Sequence, residues 1–193
     1  MLAASPRFGI VTHYNHLRFR SRLEARWAAM FDLLGWKYEY EPYDLPGWIP
    51  DFVLLGREEI LVEVKPFTKL EEFDTAKIIT AMEQGGKRDK EVLLLGCTIF
   101  EALPYGWSPA PCLGWLRECC FSFDDPNNKC LGFDEAIFNG YANNKWGFFH
   151  SNLSYADRMV VSNYGGHPPT ADTTAVLKLW REAANAVQWR APA

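Results

Sequence analysis

Leu23, Trp27, Met30, Phe31 and Leu34 recur at helical spacing and predict a helix from about Arg20 to Leu34 with one apolar face. Gly35 supplies its stop. WKYEYEP, residues 36–42, then alternates aromatic and polar side chains in the manner of a half-buried strand. Pro42, Pro46 and Gly47 mark a loop. Two apolar strands are expected at residues 49–55 and 59–65, joined by Gly56-Arg57-Glu58, a connection short enough for a hairpin. A second helix is expected from about Leu70 to Gln84, with Phe73, Ala76, Ile78, Ile79 and Met82 as its apolar positions and Gly85-Gly86 as its end. EVLLLGCTIF, residues 91–100, is nearly all apolar, as a central strand buried on both faces would be. Ahead of all these, residues 1–18 read as an irregular lead-in.

The order is helix, three strands, helix, strand. It predicts an α/β fold with a mixed central sheet flanked by helices. Residues 101–170 are rich in Gly, Pro, Asn and aromatics and show no sustained periodicity. Within them, residues 112–123 read as one further strand. Val176, Leu179, Trp180, Ala183 and Val187 line one side of a last helix over residues 172–189. With no internal repeat and no low-complexity linker, residues 1–193 are expected to form a single domain. Its core is residues 17–100, and residues 101–193 elaborate it.

Composition narrows the partners. A net charge of −4 rules out a general polycation, so any nucleic-acid contact must come from a local basic patch. Five cysteines, an odd number with no secretory leader read ahead of them, argue for a reducing cytoplasm and against a disulfide framework. No apolar run approaches the roughly 18 residues that a membrane span needs, so no membrane partner is expected.

The chemistry sits on the two central strands. Asp51 lies in WIPDFVLL, and Glu63-Val64-Lys65 follows twelve residues later in ILVEVKP. Residues two apart on a strand share a face, so Glu63 and Lys65 project together. Pairing across the hairpin brings Asp51 roughly opposite Glu63. Two carboxylates within bridging reach, with an amine beside them, suit a hard dication such as Mg²⁺ acting on a phosphodiester. A Glu-x-Lys alternation also occurs on exposed strands. Here Ile60, Leu61, Val62 and Val64 mark a buried strand, where unpaired charges are costly. Glu24 is read two ways. It completes a capping box with Ser21, bonding back to the Ser21 N–H, or it supplies a third carboxylate from the edge of the packed helix face.

FRSRLEARWAAMFDLLGW, YEYEP, GWIPDFVLL and ILVEVKP together resemble the core of the PD-(D/E)xK nucleases. That superfamily includes restriction endonucleases, RecB-type and Holliday-junction nucleases and many compact phage or mobile-element proteins. The resemblance covers about residues 17–100, and its strength lies in the order: helical Glu, Pro-Asp, Glu-x-Lys, helix, strand. It implies a restriction-endonuclease-like core and a Mg²⁺- or Mn²⁺-dependent DNA endonuclease. Asp51 and Glu63 would be metal ligands, with Glu24 and the Val64 carbonyl as further ones, and Lys65 would be the motif lysine. Gln84 resembles the helical Gln of the RecB-like branch, although Arg88 stands where that branch has a tyrosine. The second half matches no pattern of the family.

Arg18, Arg20, Arg22 and Arg26 cluster at the start of the first helix and are expected either to hold DNA phosphates or to decorate a solvated face. Lys87-Arg88-Asp89-Lys90 reads as a solvated loop. Cys112, Cys119, Cys120 and Cys130, with His150, lack a Cys-x₂-Cys knuckle and read as structural thiols rather than a zinc site. His13 and His16 precede the first helix and read as surface residues. Trp107, Trp115 and Trp146 read as core, with stacking on bases as the alternative. Besides a DNA-cutting enzyme, two readings stay open: a non-catalytic nuclease fold that binds DNA or protein, such as a phage regulatory factor, and a nuclease subunit aimed by a partner. An RNA substrate also stays open, since a metal–carboxylate site does not by itself distinguish sugar type. Cutting both strands often needs two active sites, which a homodimer would supply. A phage-encoded chain would act in the host cytoplasm.

Overall fold

The computed structural model describes residues 9–103, 108–117, 132–141, 145–151, 157–159 and 169–188. These residues form an α/β fold with three α-helices and a seven-stranded mixed sheet. The sheet strands are β3 (Tyr38–Tyr40), β4 (Phe52–Leu55), β5 (Glu59–Val64), β6 (Glu91–Ala102), β7 (Ala110–Arg117), β8 (Asp134–Tyr141) and β9 (Lys145–His150), in that spatial order. Only β5 and β6 run parallel. A parallel pair needs a crossover, and the helix α2 (Thr75–Gln84) supplies it.

Strand parity builds two hydrophobic cores. Phe52, Leu54, Ile60, Val62, Leu93 and Leu95 face the helices α1 (Arg22–Leu34) and α3 (Thr173–Ala186). Val53, Leu61, Val92 and Leu94, the alternate residues, face α2 through Ile78, Ala81 and Met82. This two-sided burial is why β5 and β6 read as continuous apolar runs. Helix α1 begins where the Ser21 hydroxyl accepts from the Glu24 N–H at 3.1 Å, and it ends at Gly35 with φ of +72°. Trp27 of α1 packs on Trp180 of α3 at 4.5 Å, and the Arg26 guanidinium lies 3.5 Å over the Trp180 ring.

Four expectations change. The lead-in holds a small antiparallel hairpin, β1 (Thr12–Tyr14) with β2 (Leu17–Phe19), which anchors buried Phe19 against Tyr40. The second helix starts at Thr75 rather than Leu70. A 3₁₀ turn, Leu70–Glu72, precedes it, and Asp74 caps the Lys77 N–H. The strand expected over residues 112–123 is seen as Ala110–Arg117, and its remainder lies outside the described residues. Two strands, β8 and β9, extend the sheet through a stretch that showed no periodicity. No helix among the described residues is long and apolar enough to cross a membrane.

Candidate functional site

The β4–β5 register pairs Phe52 with Val62, and its continuation sets Asp51 opposite Glu63. Both side chains leave the sheet on the α2 side, the face of Val53 and Leu61. Asp51 is 1% exposed and Glu63 7%, so two like charges are held out of water at the end of the hairpin. Four groups compensate them. The Val64 N–H donates to Asp51 Oδ2 at 2.7 Å. Trp48 Nε1 donates to Glu63 Oε2 at 2.7 Å. Lys65 Nζ lies 2.6 Å from Glu63 Oε1 and 3.6 Å from Asp51 Oδ2, spanning the pair. Arg20 Nη2 lies 2.8 Å from Asp51 Oδ1 and 2.6 Å from Glu41 Oε1. The Glu41 contact is off the hydrogen-bond line, since that oxygen has no hydrogen-bond partner, so it acts as an ion pair.

Burial, and next the Glu63 charge, push the Asp51 carboxyl up to about 7, against the opposing pull of Lys65 and the Val64 N–H. Burial pulls the Lys65 ammonium down, but the Asp51 and Glu63 carboxylates outweigh it and the net shift is upward. Burying the two carboxylates together thus favours a compensating positive charge, which Lys65 and Arg20 supply. Its donors are hard oxygens, with no thiolate or imidazole among them, a set that suits Mg²⁺ or Mn²⁺.

Asp51, Glu63 and Lys65 come together as the strand parity predicts; Glu24 does not join them. Its Oε1 accepts from the Ser21 hydroxyl at 2.7 Å, and its Oε2 accepts from the Tyr40 hydroxyl at 2.7 Å and the Arg20 N–H at 3.1 Å. The expected bond to the Ser21 N–H is replaced by these contacts. Tyr40 pairs with Phe52 and packs in the α1-side core, so Glu24 is braced on the other face of the sheet. Its charge still adds to the upward push on Asp51. Among the described residues no three His, Cys, Asp or Glu side chains are grouped so as to hold a metal ion.

The arginine cluster divides. Arg18 and Arg22 are exposed, Arg20 turns into the carboxylate pair, and Arg26 donates to the Trp180 carbonyl at 2.9 Å. Gln84 is exposed at the end of α2. Lys87 lies 4.0 Å over the Tyr43 ring, and Lys90 pairs with Glu59 at 3.5 Å, so that basic run is partly tied down. Cys112 is fully buried, and burial pushes its thiol up, as a structural cysteine requires. Cys119, Cys120, Cys130 and Trp107 lie outside the described residues. His150 is buried 3.6 Å from Asp134, and burial pulls its pKa down. His13 and His16 are exposed. Trp115 stacks on Phe100 at 5.1 Å in the α2-side core, and Trp146 is partly buried against the other core.

Trp48 and Glu41 escaped the sequence reading. Trp48 lies three residues before Asp51, so nearness in the chain was its available signal, whereas Glu41, in the YEYEP run ten residues before Asp51, carried none. The chain matches no family model, and neither curated proteins nor solved structures show a match to it.

Proposed function

We propose that this chain is a divalent-metal-dependent nuclease of the PD-(D/E)xK type, with a restriction-endonuclease-like core, that hydrolyses phosphodiester bonds in DNA. One observation carries the reading: Asp51 and Glu63 face each other across the hairpin while the Lys65 ammonium bridges them. Asp51 and Glu63, with the Val64 carbonyl, would hold the ion. When bound, the ion supplies Lewis acidity to a phosphoryl oxygen and lowers the pKa of a coordinated water.

The chain's own residues do the rest. Trp48 fixes one Glu63 oxygen, and the Val64 N–H fixes one Asp51 oxygen, so each carboxylate is oriented by a neutral donor while its other oxygen meets a side-chain cation. Lys65, two-fifths exposed, orients the attacking water and stabilises charge developing on the phosphate. Glu24 supports this arrangement through the Arg20 backbone and Tyr40 rather than by direct ligation. Arg18 and Arg22 are exposed and free to meet phosphates flanking the scissile one.

A second reading, a non-catalytic nuclease fold that binds DNA or a protein, is favoured by one feature. Arg20 and Lys65 already neutralise the carboxylate pair, so the site is stable without an ion. Single-stranded, duplex, branched and RNA substrates incubated with Mg²⁺ or Mn²⁺ separate the two readings. The nuclease reading expects cleavage of at least one DNA substrate, reduced about 10²-fold or more in Asp51→Ala and in Lys65→Ala. Cleavage that persists in both variants would reject the assignment, and its absence from every substrate would leave the binding reading.

A further inference from the structure

The Asp51 carboxylate is shared unevenly. Its Oδ2 already carries the Val64 N–H at 2.7 Å and faces Lys65. Its Oδ1 is held by a single guanidinium nitrogen, Arg20 Nη2, at 2.8 Å. A dication joining Asp51 to Glu63 must draw on the same carboxylate, and a guanidinium at that distance opposes it. We propose that Arg20 is an exchangeable placeholder: it occupies Asp51 Oδ1 until a divalent ion arrives, then leaves and engages a substrate phosphate. This inference rests on the metal-site reading above.

The root of the Arg20 side chain is fixed, while its tip is half exposed. The Arg20 N–H is shared between Glu24 Oε2 and the Tyr40 hydroxyl, each at 3.1 Å. The preceding residue, Phe19, is fully buried against Tyr40 and Phe52. Next along the chain, Ser21 caps α1. The backbone is therefore pinned. The side chain is half exposed, and both of its ion pairs pass through the one nitrogen. Rotation about the arginine stem releases Nη2 from Asp51 and Glu41 together. A guanidinium released at the mouth of the site presents a planar fork of donors, the geometry that phosphate accepts in bidentate fashion. Arg20 is thus a different kind of residue from Arg18 and Arg22, with which the sequence groups it. Its charge restrains the empty site and serves the loaded one.

The opposite signs of these two roles make the test. Mn²⁺ alone is titrated calorimetrically into wild type, Arg20→Ala and Arg20→Gln at pH 8. A short fluorescein-labelled oligodeoxynucleotide is then titrated into each protein with Ca²⁺ present. The exchange predicts Mn²⁺ binding about tenfold tighter in both variants and oligonucleotide binding at least about fivefold weaker. A merely structural Arg20 would weaken both. Mn²⁺ affinity that is unchanged or lower in the two variants, or oligonucleotide affinity that is unchanged, would overturn the exchange. Arg20→Gln keeps most of the side-chain bulk, so loss of the fold in Arg20→Ala alone leaves the test intact. Absence of Mn²⁺ binding from wild type and both variants would instead sink the metal-site reading itself.

Discussion

Burial of Asp51 beside Glu63 makes a proton the rival of any cation at this site. Folded Asp51 keeps its proton up to about pH 7, whereas in the unfolded chain it is released near pH 4, by about its ordinary value. Across that window the native state binds the extra proton, so rising pH removes stability that Asp51 contributes to the metal-free protein. The same proton must leave before a cation binds. Mn²⁺ affinity should therefore climb by up to about tenfold per pH unit between about pH 5 and 7 and level off above. Titrations at successive pH values check this, and an affinity that is flat across the window would contradict it. The three residues of this centre were legible in the sequence because strand parity and hairpin pairing follow from the apolar pattern alone. Trp48 and Glu41 were not, because the loop and the strand end that aim them follow no period. Glu24 shows the remaining ambiguity: a helical acid beside a serine reads as cap or ligand, and only the position of Tyr40 places it on the far side of the sheet.

Elements were legible where one face is apolar at a fixed spacing. Helices α1 and α3 follow such stripes, and their ends coincide with Ser21, Gly35 and Asp172. The start of α2 was misread because Leu70 and Phe73 continue the apolar spacing, while Asp74 opens a new cap. The β1–β2 hairpin turns on Asn15 and His16, both with positive φ, and that pair lacks the glycine that flags such turns in a sequence. The β6–β7 pairing depends on one residue. Gly114 lies so close to the Leu94 carbonyl that a Cβ has no room, and the register shifts along these two strands beyond Leu95. Gly114→Ala should destabilise the fold by about 2 kcal/mol or more, from overpacking and a broken ladder. Chemical denaturation measures this, and a change within about 0.5 kcal/mol would refute the close approach.

At the scale of the whole molecule the sheet separates one packed core from the proposed site. Trp27, Trp180 and the α1-side core lie on one face, while Asp51, Glu63 and Lys65 open on the other. Trp180→Ala should cost about 3–5 kcal/mol of stability, read by denaturant unfolding, yet leave Mn²⁺ affinity of the folded protein within about twofold. A large fall in affinity would mean that the two faces are not independent. This plan of helices on both faces of a sheet was readable through β6, and again at α3, because residues 17–100 and 172–189 carry clean periodicity. Strands β7 to β9 are interrupted by Gly and aromatics, and their pairing is set by the growing sheet edge and not by a local pattern. The most direct test of the central claim is anomalous scattering from a crystal soaked in Mn²⁺. The account predicts a peak between Asp51 and Glu63 with the Lys65 ammonium displaced from Glu63. A crystal that shows no such peak, with Lys65 still bridging the two carboxylates, would contradict it.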